Sequence, residues 1–271
     1  MAHALLHLGS FVQSLAITVM QPDDLVEFGR QTYSKSQNVD AWAEDALVDA
    51  GFNAEELEQL NAIPEKKGNL LLLGLGGGRE AIPLARMGFR VTGVDYIPAL
   101  VERAQENAAH RGVTIDGLVQ EISFLDVPAG AYDVVWLSRE LYSCVPTRLR
   151  RVGMVRKIAA ALRPGGLFLC MFRWNPEPQP HGRGDVLRRL AAICTLGNLA
   201  YEAGDSLWQN VEFLHSFSSE HAIRSELEEG GLRIVEISTP SKCVRGCVVC
   251  EKPVQEERIT EIITDIKTSQ V

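Results

Sequence analysis

Gly74, Gly76 and Gly78 stand at alternate positions directly after the apolar run Leu70-Leu71-Leu72-Leu73, and Asp95 closes the next apolar run, Val91-Thr92-Gly93-Val94. Glycines this close together let a backbone turn sharply and pass against a ligand with no side chain in between. The order apolar run, glycine loop, helical pattern, apolar run, acid reads as strand, loop, helix and strand around a nucleotide-type cofactor. Spacing narrows the choice. A dinucleotide fingerprint, G-x-G-x-x-G, counted from Gly74 requires glycine where the chain has Arg79, and the chain reads G-x-G-x-G instead.

With Asp95, this loop closely resembles motif I and its acidic partner in the class I (Rossmann-like) S-adenosylmethionine-dependent methyltransferases. The resemblance runs from Asn69 to Glu251. It implies S-adenosyl-L-methionine as cofactor, leaving as S-adenosyl-L-homocysteine. Gly74, Gly76 and Gly78 would form its loop, the helix opening near Arg79 would aim free N–H groups at the methionine carboxylate, and Asp95, with Tyr96 beside it, would accept both ribose hydroxyls. The family usually carries an acid two residues before the first glycine, where this chain has Leu72. Ser123-Phe124-Leu125-Asp126-Val127-Pro128 resembles the adenine-contacting segment. Ser123 and Phe124 are the first candidates there and Asp126 the alternative. Ser138, at the cofactor end of the fourth strand, is a further contact, and Gln31 and Tyr33 are candidates for a lid over the cofactor. Ala131-Tyr132-Asp133-Val134-Val135 and Leu162-Arg163-Pro164-Gly165-Gly166-Leu167 resemble the entry to the fourth strand and the turn before the fifth. The Asn-Pro-Pro-Tyr type motif of amino-group methyltransferases is replaced by Ser138-Arg139-Glu140-Leu141.

The elements needed to position these residues are legible in the pattern. Strands are predicted at Leu70 to Leu73, Arg90 to Val94, Gly117 to Ile122, Asp133 to Ser138 and Leu167 to Phe172, with helices over 79–88, 98–111 and 147–162. Leu232 to Ser238 and Val244 to Glu251 are two further strands whose short link cannot make a parallel crossover, so they form an antiparallel hairpin. The expected fold is therefore α/β and doubly wound, a mostly parallel seven-stranded sheet with an antiparallel C-terminal hairpin strand and a helical N-terminal cap. Residues 1–67 are the cap, with Asn53-Ala54-Glu55-Glu56 as a capping box. Residues 68–252 are the methyltransferase domain, and 253–271 a helical tail with Ile259, Ile262, Ile263 and Ile266 at helical spacing, suited to packing or to self-association as a homodimer.

An insertion at 173–219 interrupts the core after the fifth strand. Ligands in open sheets bind outside the carboxyl ends of the strands, so this segment is placed to cover substrate. His215 as a base, with Arg173 and Trp174, are the candidate catalytic groups near the acceptor. Tyr201 and Trp208 can add apolar walls, and Arg183 a polar anchor.

Composition sets the surroundings. The 271 residues are 46% hydrophobic and 23% charged, with net charge −8, which argues against general attraction to nucleic acid or an anionic membrane. Leu5, Leu8, Val12, Leu15 and Val19 lie on one helical face, and the run lacks the basic start of a signal peptide. Six irregularly placed cysteines fit a reducing, cytoplasmic setting. Cys243, Cys247 and Cys250 have the C-x-x-x-C-x-x-C spacing of a cluster-binding motif, yet on one strand the first two stand roughly 13 Å apart and the last two face opposite ways, so no metal is expected. Arg148, Arg150, Arg151, Arg156 and Lys157 are read as a solvated basic helix face, with RNA contact the minority view. The preferred function is methyl transfer to a small-molecule acceptor. An aminopropyltransferase on the same fold, an RNA methyltransferase and a non-catalytic cofactor-binding protein remain as alternatives.

Overall fold

The computed structural model describes residues 15–176, 183–208, 211–240 and 244–254. Helical residues 15–19 lead into four helices, α1 (Pro22–Tyr33), α2 (Ser36–Trp42), α3 (Asp45–Ala50) and α4 (Ala54–Asn61). Asn53 caps α4 as its sequence predicts. Its side chain accepts from the Glu56 N–H at 2.8 Å while Glu56 accepts from the Asn53 N–H at 2.8 Å.

The core then alternates through β1 (Gly68–Leu73), α5 (Ala81–Met87), β2 (Phe89–Asp95), α6 (Pro98–His110), β3 (Asp116–Val119), β4 (Tyr132–Leu137), α7 (Leu141–Cys144), α8 (Arg148–Ala161) and β5 (Leu162–Trp174). After helix α9 (Arg183–Thr195) and the pair β6 (Asp205–Trp208) and β7 (Glu212–His215), the chain returns through α10 (Glu220–Glu229), β8 (Arg233–Ser238) and β9 (Val244–Glu251).

The main sheet has the order β3-β2-β1-β4-β5-β9-β8. The five strands β1 to β5 are parallel, and β9 enters antiparallel between β5 and β8. The predicted terminal hairpin is present, and β9 reaches back to the middle of the chain as well as to β8. Successive side chains of a strand face opposite ways, which splits the leucine run of β1 between two cores. Leu71 and Leu73 pack with Val135 and Leu137 against Val155 and Ile158 of α8 and Leu227 of α10. Leu70 and Leu72 pack with Val134 and Trp136 against Ile82 of α5, Val101 and Ala104 of α6 and Leu60 of the cap. A strand buried on both faces reads as a continuous apolar run for this reason.

Two expectations change. The pairing of β4 with β5 jumps from Tyr132 opposite Leu162 to Val134 opposite Leu167, so the Arg163-Pro164-Gly165-Gly166 turn bulges out of a strand that runs through it. The insertion holds β6 and β7, an antiparallel pair apart from the main sheet, which the sequence pattern did not reveal. Pro178, Pro180, Cys243, the stretch from Leu5 to Val12 and the tail isoleucines lie outside the described residues, and so does the side chain of Arg183.

The basic helix face is corrected as well. Arg151 is fully buried, donating to Glu226 from Nε at 2.9 Å and Nη2 at 2.8 Å and to Glu202 at 2.9 Å. The Tyr142 hydroxyl also donates to Glu226, at 2.9 Å. Its neighbours are neutralised within the chain, Arg150 by Asp23 and Glu121, Arg148 and Arg156 by Glu229. Removing one partner of a buried pair leaves an uncompensated charge. Glu226→Ala is therefore expected to lower stability by about 3 kcal/mol in urea denaturation; a loss below about 1 kcal/mol would show that Glu202 alone satisfies Arg151.

Candidate functional site

The glycine loop leaves β1 and turns back beneath the end of β2, where Asp95 waits for it. The Gly76 N–H donates to Asp95 Oδ2 at 2.9 Å and the Ile97 N–H to Oδ1 at 3.1 Å. Burial raises the Asp95 carboxyl above its ordinary range, while the N–H groups of Gly76, Ile97 and Tyr96 pull the other way. Gly76 has φ 52°, and a Cβ built on it would meet no atom within 4 Å, so its bare face opens on the cavity. At Gly77 the cap comes close, and a Cβ there would lie 2.3 Å from the Trp42 carbonyl oxygen.

Arg79 joins three segments at the floor. Its guanidinium donates to Glu56 of α4 at 2.6 and 2.7 Å, to the Gly51 carbonyl at 2.6 Å, and to Glu80. Glu80 in turn accepts from the Ser138 hydroxyl at 2.6 Å, at the end of β4. Burial works against the charge of Glu56, yet Arg79 and the Asn53 N–H bring its carboxyl below the usual value. Glu80 goes the other way, raised by burial despite Arg79 and Ser138.

Above this floor is a cavity of about 400 Å³, the size of a small-molecule or cofactor site. Gly74, Gly76, Arg79, Asp95, Tyr96 and Ser138 line one side, Tyr33 and Trp42 of the cap roof it, and Glu140, Cys144, Arg173, Arg245, Trp208 and Glu212 form the far wall. A smaller adjoining cavity shares Asp95, Tyr96, Cys144 and Glu212 and is bounded by Gln120, Glu121 and Ile122 after β3. Glu212 accepts from the Tyr33 hydroxyl at 3.0 Å and faces the Cys144 thiol at 3.4 Å. Burial pushes the Glu212 carboxyl up, as it does the Tyr33 hydroxyl and the Cys144 thiol.

The predicted residues divide accordingly. Gly74, Gly76, Arg79, Asp95, Tyr96, Ser138, Tyr33 and Arg173 share the main cavity. Gly78 lies behind the loop, where a Cβ would meet Ile82 and Ala104 of the flanking helices. His215 is turned away. It is buried with its ring edge-on to Phe217, and its Nδ1 lies 2.8 Å from Asp205 Oδ1. Trp174 is buried too, its indole N–H donating to the Pro240 carbonyl at 2.8 Å. Strand alternation explains both, since neighbouring residues of one strand face opposite sides. Ser123 donates to Glu121 at 2.5 Å, Asp126 bonds through its backbone to Gln120, and Phe124 is 63% exposed under the Arg150 guanidinium. Gln31 is a surface residue donating to Glu27.

Glu121, Glu140, Glu212, Trp42 and Arg245 are cavity residues that the sequence reading missed. Counting forward from the end of β3, rather than back from Val127-Pro128, would have reached Glu121; Glu140 follows β4 in the Ser138-Arg139-Glu140-Leu141 stretch, and Trp42, Glu212 and Arg245 come from cap, insertion and β9 and carry no motif. Glu202, Asp205 and His215 place ligand-type atoms within 4.8 Å of one another, but Glu202 is already engaged by Arg151. Cys247 and Cys250 lie on β9, with burial pushing their thiols up to about 11 and about 12, and Cys243 is outside the described residues.

Sheet order, glycine loop and the acid after β2 together define a Rossmann-like cofactor-binding domain. Residues 70–166 match a family model described as a methyltransferase domain. A ubiquinone biosynthesis O-methyltransferase of Methylobacterium nodulans is 38% identical over 106 residues, 39% of this chain and 41% of that protein. The protein of the same name from Xanthomonas axonopodis pv. citri is 35% identical over 128 residues, 46% of this chain and 52% of that protein. The matches span about half the length of these curated relatives. Among solved structures, a SAM-dependent methyltransferase of Methanosarcina mazei shares the fold with TM-score 0.57 at 18% identity, covering 76% of this chain and 100% of that one. Over residues 70–166 the chain is therefore similar to a methyltransferase domain, and its fold is shared with a SAM-dependent methyltransferase.

Burial of Glu212 has a consequence for stability. Its folded-state pKa is raised, so the folded chain holds this proton more tightly than the unfolded one. The cost of its charge is absent well below about pH 4.3 and grows as pH rises through the folded-state value. Glu212→Gln is expected to raise Tm relative to the parent near pH 8, with the gain shrinking toward pH 4. A Tm difference that grows on acidification would reverse this sign.

Proposed function

We propose that this protein transfers the methyl group of S-adenosyl-L-methionine to a nucleophilic atom of a small-molecule acceptor. The observation that carries the reading is one continuous cavity with the glycine loop and Asp95 on one side and residues of the insertion and β9 on the other. The donor's chemistry, when it is bound, is an activated sulfonium methyl group. The chain's own part is to align and enclose, and such positioning can supply about 7–11 kcal/mol.

The residues fit that cofactor. Asp95 holds the ribose hydroxyls, the exposed backbone of Gly76 admits the chain between ribose and methionine, and Tyr96 with Glu121 and Ile122 takes the adenine. Leu72 is wholly buried in the core and offers nothing polar, so Glu80 and Ser138 hold the methionine amino end in its place. The relatives named as O-methyltransferases favour oxygen as the accepting atom. Glu212, a buried carboxylate whose hydrogen-bonding partners are both neutral, is the group placed to take the acceptor's proton.

The cap over 1–67, the core over 68–252 and the insertion over 173–219 work as the unit that closes on the donor. We place the protein in the cytoplasm, a setting that suits the free cysteines Cys144, Cys170, Cys194, Cys247 and Cys250. Among the described residues no helix is long and apolar enough to cross a membrane. The internally paired arginines of α8 favour a small molecule over RNA.

Incubation with methyl-labelled S-adenosylmethionine and fractionated small-molecule extracts is expected to label a low-mass product. Label in RNA alone, or none with any fraction, would overturn the reading. Asp95→Ala is expected to weaken calorimetric S-adenosylmethionine binding by at least about tenfold, because two hydrogen bonds to a charged acceptor are lost. Unchanged affinity in the folded variant would place the ribose elsewhere. His215→Gln, in contrast, should leave turnover within about threefold while lowering Tm, since its ring faces Asp205 and Phe217 rather than the cavity.

A further inference from the structure

Arg173 on β5 and Arg245 on β9 are direct cross-strand partners, and both line the far wall of the cavity. Like charges directly opposite one another destabilise a sheet unless anions neutralise them. Glu140 stands between them, accepting from Arg245 Nε through one oxygen, with the other 3.5 Å from Arg173 Nη1. Arg245 has a second carboxylate, Glu55, at 3.1 Å. Arg173 has none other among the described residues, and its single ionic contact is at the outer limit of a hydrogen bond.

The surroundings of Arg173 are built. Its backbone N–H donates to the Ser143 hydroxyl at 2.8 Å, and its guanidinium stands over the Trp208 ring with Cζ 5.5 Å from the centroid. Trp208 lines the same cavity and is 49% exposed, so its indole is not used up by packing within the chain. The other cations of the cavity are placed differently. Arg79 is saturated by Glu56, Glu80 and the Gly51 carbonyl. Arg139 adjoins Ser138 on the donor side and lies over Trp42. Arg173 belongs to the acceptor side, because β5 is separated from β1 by β4 and two strand spacings amount to roughly 10 Å.

We propose that the methyl acceptor is a small, flat, carboxylate-bearing molecule whose carboxylate Arg173 binds while its ring lies against Trp208. This rests on the methyl-transfer reading of the cavity and adds the acceptor's chemical class to it. Arg245 and Glu140, held by each other, form the fixed backstop, and the planar guanidinium of Arg173 supplies two parallel N–H donors to the incoming carboxylate. A spacing of roughly 10 Å between the glycine-loop strand and Arg173 suits an acceptor about one aromatic ring long.

The test is calorimetric titration of the full chain with 4-hydroxybenzoate and with 4-hydroxybenzamide, each with and without saturating S-adenosylhomocysteine. The acid is expected to bind at least about tenfold more tightly than the amide. Arg173→Gln should abolish that preference, and Arg173→Lys should lose most of it, because a lysine offers a point charge in place of a fork. Both variants should keep S-adenosylhomocysteine affinity within about twofold, which shows that they are folded. Equal binding of acid and amide, no binding of the acid at millimolar concentration, or a preference that survives Arg173→Gln would overturn the proposal. Failure of the methyl-transfer reading shows separately, as wild-type protein that does not bind S-adenosylhomocysteine, and the titrations without it still decide the carboxylate preference.

Discussion

One buried guanidinium holds the site together. Arg79 lies at the junction of cap, glycine loop and β4, and through Glu56, Glu80 and Ser138 it ties three segments far apart in sequence to a single point. A buried ion pair repays its desolvation only when its geometry is good and its remaining hydrogen-bonding capacity is met. Here Glu56 also accepts from the Asn53 N–H that caps α4, and Arg79 also donates to the Gly51 carbonyl. The helix cap, the ion pair and the loop conformation are therefore mutually dependent. Charge at Arg79 serves the shape of the loop, a role the glycine spacing does not disclose because its partners Glu56 and the Gly51 carbonyl come from the cap.

The second constraint is the Asp95 carboxylate, which fixes the loop to the end of β2 through the Gly76 N–H, while the Ile97 N–H holds its other oxygen. Asp95 and Arg79 act on opposite ends of one short loop. With its path set at both ends, the loop can present bare backbone at Gly76 while the cap packs against Gly77 from behind. Preorganisation of this kind spares a ligand the entropy of ordering the loop itself.

Legibility from sequence follows the range of the interactions. Strands buried on both faces, the cap at Asn53 and the glycine spacing are local, and their elements appear where the periodicity puts them. The terminal hairpin was legible because its link is too short for a crossover. The β6 and β7 pair was not, since each strand has only four residues and no clear alternation. The far wall was least legible. His215 has the right residue type for a base, but Asp205, its partner across β6 and β7, draws it inward. Glu212, three residues earlier, faces the cavity, and only its tertiary partners Tyr33 and Cys144 identify it. Arg151 shows the same effect in a helix, where a basic run looks solvated until Glu226 and Glu202 arrive from distant segments.

The roof of the cavity is closed by a hydrogen bond between Tyr33 and Glu212, residues 179 positions apart in the chain. Both lie outside the 70–166 stretch that matches the family, as do Trp42, Arg173, Trp208 and Arg245. The far wall is thus built mostly from segments beyond that stretch, with Glu140 and Cys144 its contributions from within it. Substitutions in cap, insertion and β9 can therefore reshape the far wall and roof of the cavity while leaving the glycine loop and Asp95 as they are.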